Sequence, residues 1–240
     1  MTLYREDLAR IQKEAFGGYA EKLMPRVLAA LGPGNGGKVL DIGCGAGLSA
    51  RLLLESGFEV IALEQSEAML AFAREEAPRA SFTCRSVWDA PPPRADHAIA
   101  IGEPLLYQPR SADPVARFKW LFEELFKSLP AGGKFVFDIL DREGAPLDAK
   151  RFQTHDEWVL LSETVEDRAA NRITRFIDTF LKIDALEIDA WRREHEVHEL
   201  VCLSRTEVTQ WLDAAGFDAT MVDANPELPR RVLVTATRRA

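Results

Sequence analysis

The sequence has few of the residues that build disulfide, metal or membrane-spanning structures. It contains three cysteines, Cys44, Cys84 and Cys202, and their wide separation argues against a disulfide framework and against a zinc site. No stretch approaches the roughly 18 consecutive apolar residues of a membrane span. The N-terminal stretch MTLYREDLARIQKEAF is charged throughout and has no apolar signal core. We therefore expect a reduced, soluble, cytoplasmic protein that binds no metal.

Positive charge is also scarce, because 38 acidic residues outnumber 30 lysines and arginines and give a formal net charge of −8. A chain with this charge is repelled by nucleic acid and by anionic membranes. One basic cluster lies near the C-terminus, and a solvated strand end explains it: Arg230, Arg231, Arg238 and Arg239. We expect no nucleic-acid partner, no membrane partner, and either a monomer or a homodimer.

The sequence does contain a regular alternation of short apolar runs and helix-like segments between residues 38 and 139. Strands are predicted at Lys38–Ile42, Glu59–Leu63, Ser81–Cys84, His97–Ile101 and Lys134–Ile139. Helices are predicted at Leu48–Glu55, Glu67–Glu76 and Val115–Leu129, with Asp113 as the N-cap of the last. This order predicts a mostly parallel sheet covered by helices on both faces. Residues 3–30 have helical spacing that is interrupted at Gly17-Gly18 and at Pro25.

The pattern changes from about Asp156 to Leu203, where long extended runs contain neither glycine nor proline. The segment EDRAAN separates two of these runs as a hairpin connection would. A helix follows in SRTEVTQWLDAAGF, with capping-box spacing of Ser204 and Glu207 and with Gly216 at its C-terminus. Two closing strands are predicted at Asp218–Val222 and Arg231–Thr237.

These patterns predict one doubly wound α/β domain with an antiparallel β elaboration. We divide it into an N-terminal helical cap (1–36), a cofactor-binding core (37–149), an antiparallel substrate-side elaboration (150–203) and a closing helix and strands (204–240).

A glycine-rich loop follows the first predicted strand, in KVLDIGCGAGLSA. Gly43, Gly45 and Gly47 allow a sharp turn that a ligand can approach closely, with backbone N–H groups free to contact it. Glu64 ends the next strand at the same edge of the sheet, where a carboxylate can accept hydrogen bonds from two ribose hydroxyls. A dinucleotide fingerprint would be GxGxxG, but Leu48 stands where its third glycine belongs. Asp41, just before the loop, suits an amino group or a sulfonium better than a pyrophosphate.

Several segments together resemble class I S-adenosylmethionine-dependent methyltransferases of the small-molecule type. VLDIGCGAG and VIALEQSEAMLAFAREEAP are similar to the family's first motif and its following acidic strand. ADHAIAIGEPLLY and LFEELFKSLPAGGKFVFDIL resemble its fourth and fifth strands with their flanking loops. The resemblance covers residues 14–141, and EVTQWLDAAGF resembles the helix before the sixth strand. It implies a Rossmann-like, seven-stranded, mostly parallel sheet and transfer of a methyl group to N or O of a small molecule.

The resemblance also implies a cofactor site for S-adenosylmethionine. The backbone at Gly43, Cys44, Gly45 and Gly47 would hold the methionine part, with Asp41 near its ammonium, Glu64 on the ribose, and Gln65 and Met69 beside the adenine. In CRSVWDA, Ser86 occupies the position of a usual adenine-binding acid, so Ser86 and the Val87 N–H would serve the ring. Trp88 would cover the adenine or pack in the core, and Asp89 is a weaker substitute for the missing acid.

The acceptor should lie beyond the fourth and fifth strand ends. GEPLLY lacks the NPPY or DPPY motif of enzymes that methylate base or glutamine nitrogens, and it resembles small-molecule members instead. Glu103 and Tyr107 are our first candidates for the pocket, and His198 is a candidate general base. Phe16 and Tyr19 lie where related enzymes place a helix across the cofactor. Tyr19 would reach the methionine carboxylate or the acceptor, or simply pack within the helical cap. His195 and His198 would face opposite sides of a strand, which argues against a metal site.

Three alternatives remain open from the sequence. They are an NAD(P)-dependent oxidoreductase, a catalytically inactive cofactor-binding protein, and a methyltransferase with a protein or RNA acceptor.

Overall fold

A computed structural model describes residues 3–15, 18–185, 188–224 and 230–240 of the chain. Its first part contains α1 (Glu6–Ala15), α2 (Gly18–Leu31), β1 (Lys38–Ile42), α3 (Leu48–Glu55), β2 (Glu59–Glu64), α4 (Glu67–Glu76), β3 (Ser81–Cys84), β4 (His97–Ala100), α5 (Pro114–Ser128) and β5 (Lys134–Leu140). Its second part contains β6 (Ala149–Thr154), β7 (Trp158–Asp167), β8 (Arg172–Ala185), β9 (Ile188–Val201), α6 (Arg205–Ala215), β10 (Phe217–Asp223) and β11 (Arg231–Arg238).

Among the described residues, seven strands form the main sheet in the order β10-β11-β5-β4-β1-β2-β3. The five strands β1 to β5 pair in parallel, and β11 is antiparallel to both β5 and β10. The strand order reverses between β1 and β4, which is the point where open parallel sheets bind ligands. The predicted fold class is confirmed.

A separate four-stranded antiparallel sheet has the order β6-β7-β8-β9. The predicted hairpin connection is confirmed, because β7 ends at Asp167, β8 begins at Arg172, and Asn171 adopts a left-handed φ of 51° in the turn between them. Side chains of alternate residues in β7 and β8 face the carboxyl edge of the main sheet. This second sheet therefore forms a wall opposite the glycine loop.

The predicted helix boundaries hold where a local cap sets them. Asp113 accepts hydrogen bonds from the Val115 and Ala116 N–H groups, and Gly216 ends α6 with a φ of 99°. The predicted capping box of α6 is wrong, since Ser204 makes no side-chain cap and Glu207 pairs with Arg142 instead.

The predicted interruption at Pro25 is also wrong, because α2 continues through it. The buried apolar side chains on both sides of the proline, Leu23, Met24, Val27 and Leu31, outweigh the one hydrogen bond that proline cannot donate.

The basic cluster near the C-terminus is not simply a solvated strand end. The Arg230 side chain is only 3% exposed and forms a two-pronged ion pair with Glu166. Arg231 is mostly buried, with its side chain 13% exposed, and pairs with two carboxylates, while Arg239 remains at the surface beside Asp213. The earlier interpretation is therefore wrong for Arg230 and Arg231, because both side chains turn inward from the start of β11.

No helix in the described part of the chain is long and apolar enough to cross a membrane.

Candidate active site

A cavity of about 640 Å³ lies between the carboxyl ends of β1, β2 and β4 and the inner face of the second sheet. This volume is within the range of small-molecule binding sites. The predicted site residues on its wall are Tyr19, Gly43, Cys44, Gly45, Glu64, Gln65, Met69, Ser86, Val87, Glu103 and Tyr107. Four predicted site residues are not on the wall: Asp41, Gly47, Trp88 and His198. Phe16 lies outside the described residues.

The glycine loop takes a backbone path that side chains rarely allow. Gly43 and Gly47 have φ values of 70° and 94°. A Cβ on Gly43 would lie 2.2 Å from the Pro104 Cβ, and one on Gly47 would lie 2.8 Å from the Ala73 Cα. The loop is therefore packed tightly between the segment after β4 and helix α4.

The expectation that the loop presents free N–H groups is wrong. The Gly43 and Cys44 N–H groups both donate to the Leu63 carbonyl, at 2.7 and 3.1 Å, and the Gly47 N–H donates to the Cys44 carbonyl. The Gly45 N–H donates to Glu64 Oε2 at 3.1 Å. The turn folds back on β2 so closely that Leu63 and Glu64 of β2, together with the Cys44 carbonyl of the turn, accept these hydrogen bonds.

Glu64 places a carboxylate on the cavity wall at the end of β2. Its Oε1 accepts a hydrogen bond of 2.8 Å from the Ser66 N–H, which orients the side chain together with the bond from Gly45. Burial raises the pKa of Glu64, and these backbone donors act in the opposite direction. An oriented acceptor on the cavity wall fits a pair of ribose hydroxyls.

Asp41 lies behind the loop rather than on the cavity wall. Its Oδ2 accepts a 2.6 Å hydrogen bond from the Ser49 hydroxyl, and its buried Oδ1 has no partner among the described residues. Burial raises the pKa of Asp41 to about 7. Because Ser49 does line the cavity, Asp41 reaches the cavity only through Ser49.

The raised pKa of Asp41 predicts a pH-dependent stability. A carboxyl with a folded pKa above its unfolded value stabilises the fold at low pH, and this contribution is lost as the pH rises through about 7. We expect the free energy of unfolding, measured by urea titration, to fall between about pH 4 and 7 in the wild type and to fall less in Asp41→Asn. Exposed Asp218→Asn should keep the wild-type slope. Equal slopes for wild type and Asp41→Asn would contradict the prediction.

Trp88 belongs to the core and does not cover the cavity. Its ring packs edge-on against Phe118 at 5.6 Å and lies under the Arg117 guanidinium at 4.6 Å. The Asp89 carboxylate already has a partner within the protein, since it accepts a 2.9 Å hydrogen bond from the Ser86 N–H. Of the two alternatives for Trp88, the structure shows packing in the core, because its ring turns towards α5. Ser86 and Val87 remain on the wall.

Glu103 forms the centre of a charged network on the far side of the cavity. It adopts a left-handed φ of 80°, which is rare for a residue with a side chain. Arg175 donates to both of its oxygens, at 3.1 and 3.2 Å, Arg231 pairs with it closely, and the Tyr107 hydroxyl donates at 2.9 Å. Burial alone would raise the pKa of Glu103, but Arg175 and Arg231 outweigh burial and lower it.

Asp138 extends this network towards the helical cap. It accepts hydrogen bonds from Arg231 at 3.0 Å, from the Tyr19 hydroxyl at 2.9 Å and from the Gly102 N–H at 2.6 Å. Sequence reasoning missed both Asp138 and Arg231. A charged residue inside the apolar strand KFVFDIL was the available signal for Asp138.

The N-terminal residues 3–15, which we call the strap, close one side of the cavity. The Tyr4 and Arg5 N–H groups each donate to Glu196 at 2.8 Å, and Ser66 donates to the Tyr4 carbonyl at 2.6 Å. The Tyr4 and Tyr107 hydroxyls are 2.7 Å apart. Because Tyr107 donates to Glu103, Tyr4 donates to Tyr107. Sequence reasoning missed Tyr4.

His198 lies behind the cavity wall. It is fully buried, its Nε2 is 2.9 Å from a Glu196 oxygen, and its ring packs against Tyr4 and Tyr107 at 5.0 and 5.5 Å. The structure therefore does not place it where it could take a proton from an acceptor. His195 is on the opposite face of β9 beside Asp178, as the strand pattern predicts.

The sequence itself matches a known family over the part that builds the glycine loop and Glu64. Residues 39–133 match the family described as methyltransferase domain. By its sequence, this matched segment is a methyltransferase domain, as predicted. The predicted cofactor, S-adenosylmethionine, is the one named for structural relatives of the chain. Among curated proteins, none matches the sequence significantly.

Solved structures resemble the methyltransferase domain and its second sheet along almost the whole chain. An S-adenosylmethionine-dependent methyltransferase from Clostridium acetobutylicum is 17% identical with a TM-score of 0.74, covering 97% of this chain and 98% of that one. The sugar N-methyltransferase KedS8 from Streptoalloteichus is 21% identical with a TM-score of 0.74, covering 100% and 97%. CalS10 from Micromonospora echinaspora, an amino pentose methyltransferase, is 20% identical with a TM-score of 0.71, covering 99% of each chain. At these identities the likeness shows the fold.

Proposed function

We propose that the chain transfers a methyl group from S-adenosylmethionine to the nitrogen of a small-molecule amine. The observation that carries this proposal is a cavity with an oriented carboxylate, Glu64, at its cofactor end. At the acceptor end the Glu103 carboxylate and the hydroxyls of Tyr4 and Tyr107 are already paired with protein groups. Methylation of an oxygen is the second candidate, and it requires either a base or an acceptor that arrives ionised.

The cofactor end of the cavity fits S-adenosylmethionine. Gly45 lies beside the Met69 side chain, since a Cβ at Gly45 would make ordinary contact with the Met69 Cε at 3.5 Å. Glu64 would hold the ribose hydroxyls, and Gln65, Met69, Ser86 and Val87 would surround the adenine. Ser49, held by Asp41, would approach the methionine part. When bound, the cofactor supplies an electrophilic methyl group for in-line displacement.

The acceptor end lacks an available general base among the described wall residues. Burial raises the pKa of Tyr4 to about 12 and raises the pKa of Tyr107 well above its usual value. Glu103 is an ion-paired carboxylate of lowered pKa, and His198 is off the wall. A neutral amine already carries the lone pair that attacks the methyl carbon, whereas an alcohol must first lose its proton. The paired wall therefore suits an amine, whose surplus proton can leave to water.

The residues of the acceptor end would act by orientation and by excluding water. Arg175 and Arg231 fix Glu103, and Tyr4 and Tyr107 present an ordered pair of hydroxyls. Leu160, Ile173 and Ile177 supply the apolar part of the wall. Two of the structural relatives are a sugar N-methyltransferase and an amino pentose methyltransferase, which supports an amine acceptor.

Loss of the Glu64 carboxylate tests the cofactor site. We expect calorimetric titration with S-adenosylhomocysteine to give micromolar binding to the wild type. In Glu64→Ala the affinity should fall about 10- to 100-fold, because a charged hydrogen-bond acceptor is lost. Exposed Glu59→Ala, at the start of the same strand, should bind as the wild type does.

NADH is titrated in parallel as the probe for the oxidoreductase alternative. Binding of NADH without binding of S-adenosylhomocysteine would overturn the proposed cofactor. Binding of neither would favour a protein that has lost its cofactor.

The choice of nitrogen is tested with matched acceptors. Amino sugars and amino alcohols are incubated with S-adenosylmethionine beside analogues in which a hydroxyl replaces the amine. We expect mass spectrometry to find the added methyl group on nitrogen and to find none on the hydroxyl analogues. Methylation of the hydroxyl analogues alone would favour the second candidate.

A further inference from the structure

One cation on the cavity wall has no partner among the residues that the structure describes. Six lysine and arginine side chains line the cavity: Lys13, Arg51, Arg85, Arg151, Arg175 and Arg231. Five of them are engaged by carboxylates or backbone carbonyls, namely Lys13, Arg51, Arg85, Arg175 and Arg231. Among the described residues, the Arg151 guanidinium makes no hydrogen bond and no ion pair. It is therefore the uncompensated positive charge of this wall.

Two hydroxyls lie next to Arg151 on the same face of the second sheet. Arg151 is the register partner of Ser162, and Thr164 follows two residues later on β7. Ser162 and Thr164 both line the cavity, and neither side chain forms a hydrogen bond within the described part of the protein. The three side chains together offer a planar guanidinium fork and two hydroxyl donors to the cavity.

No carboxylate in the described part of the chain forms an ion pair with Arg151. Glu166 is the next residue on that face of β7, and both of its carboxylate oxygens accept hydrogen bonds from Arg230. Glu163 is on the opposite face and pairs with Lys150 at 3.1 Å. Further into the cavity, Arg175 is balanced by Glu103. A ligand group near Arg151 would therefore meet a net positive charge.

We propose that Arg151, Ser162 and Thr164 bind an anionic substituent of the acceptor, a carboxylate or a phosphate. This inference rests on the proposed function, because it assigns the second-sheet side of the cavity to the acceptor. The residues assigned to the cofactor, from the glycine loop to Val87, all come from the main-sheet side. The guanidinium fork matches the two oxygens of a carboxylate or phosphate, and the hydroxyls can donate to a third oxygen or to a bridging water.

The subsite is tested with simple anions rather than with an acceptor. Isotope-labelled protein is titrated with inorganic phosphate and, separately, with acetate at low ionic strength, and amide shifts along β6 and β7 are followed by NMR. We expect saturable binding of at least one anion to the wild type and a loss of affinity of about tenfold or more in Arg151→Ala. Lys150→Ala is the matched control, because Lys150 is adjacent but on the opposite face and paired. It should remain within about twofold of the wild type.

The outcomes separate the subsite from the cofactor site. Each titration is run with and without saturating S-adenosylhomocysteine, so that failure of the nucleoside to bind does not hide the anion result. Selective binding of phosphate supports a phosphorylated acceptor, and selective binding of acetate supports an acceptor with a carboxylate. No binding to the wild type, or equal binding to the wild type and Arg151→Ala, would overturn the proposal.

Discussion

Glu103→Gln is expected to lower the free energy of unfolding by about 3–5 kcal/mol, because it leaves two arginines without their carboxylate. Arg175 and Arg231 both turn towards Glu103, and the Arg231 side chain is only 13% exposed. Asp138 remains as a partner of Arg231, but Arg175 keeps no other carboxylate among the described residues. Urea unfolding at neutral pH measures the loss.

The stability that Glu103 contributes depends on pH, and the direction of this dependence follows from its lowered pKa. A carboxylate with a lowered folded pKa contributes stability above its unfolded pKa, and this contribution is lost as the pH falls through the folded value. At neutral pH the full contribution is present. Glu163→Gln is the control, since Glu163 pairs with an exposed lysine and its loss should cost under about 1 kcal/mol. A Glu103→Gln protein as stable as this control would contradict the network's importance.

Gly43→Ala is expected to destabilise the protein by about 2–5 kcal/mol and to abolish measurable binding of S-adenosylhomocysteine. Alanine at a φ of 70° is strained, and its Cβ would overlap the Pro104 Cβ at 2.2 Å. Relief of the overlap must move either the loop or the segment that carries Glu103. Thermal unfolding and calorimetric titration measure the two effects.

Gly132→Ala separates backbone strain from steric overlap. Gly132 has a similar φ of 76°, but a Cβ there meets nothing within 4 Å. We expect it to cost about 1–2 kcal/mol and to leave the affinity for S-adenosylhomocysteine unchanged. If both alanine variants lost stability equally and both bound the nucleoside, the packing of the loop against Pro104 would not matter.

Local sequence signals were sufficient for most of the main sheet. The five parallel strands, the cap at Asp113 and the left-handed Gly216 depend on residues close together in the chain, and all are found. The glycine loop and Glu64 were also predictable, because the carboxyl ends of adjacent parallel strands meet at one edge.

The polar network of the acceptor end was not predictable in the same way. Glu103 was identified, but its partners Arg175 and Arg231 come from β8 and β11, and nothing near Glu103 in the sequence indicates them. Trp88 and His198 were predicted for the site because their side chains have suitable chemistry, but both face the core. Side-chain direction at a strand end or in the loop after it depends on the elements packed there. The prediction of free N–H groups in the loop was wrong for a similar reason, because the carbonyl of Leu63 accepts hydrogen bonds from two of them.

The strap also has a consequence for how this protein acquires its active site. The hydrogen bond from the Tyr4 N–H to Glu196 joins residues 192 positions apart. Contacts of such long sequence separation form slowly, because the chain must lose much entropy before they contribute any stability. During synthesis, Tyr4 leaves the ribosome long before β9 exists, so its bond to Glu196 cannot form until the second sheet is almost finished, although its partner Ser66 is made much earlier. The first described residues of the chain are thus expected to be among the last to complete their native contacts.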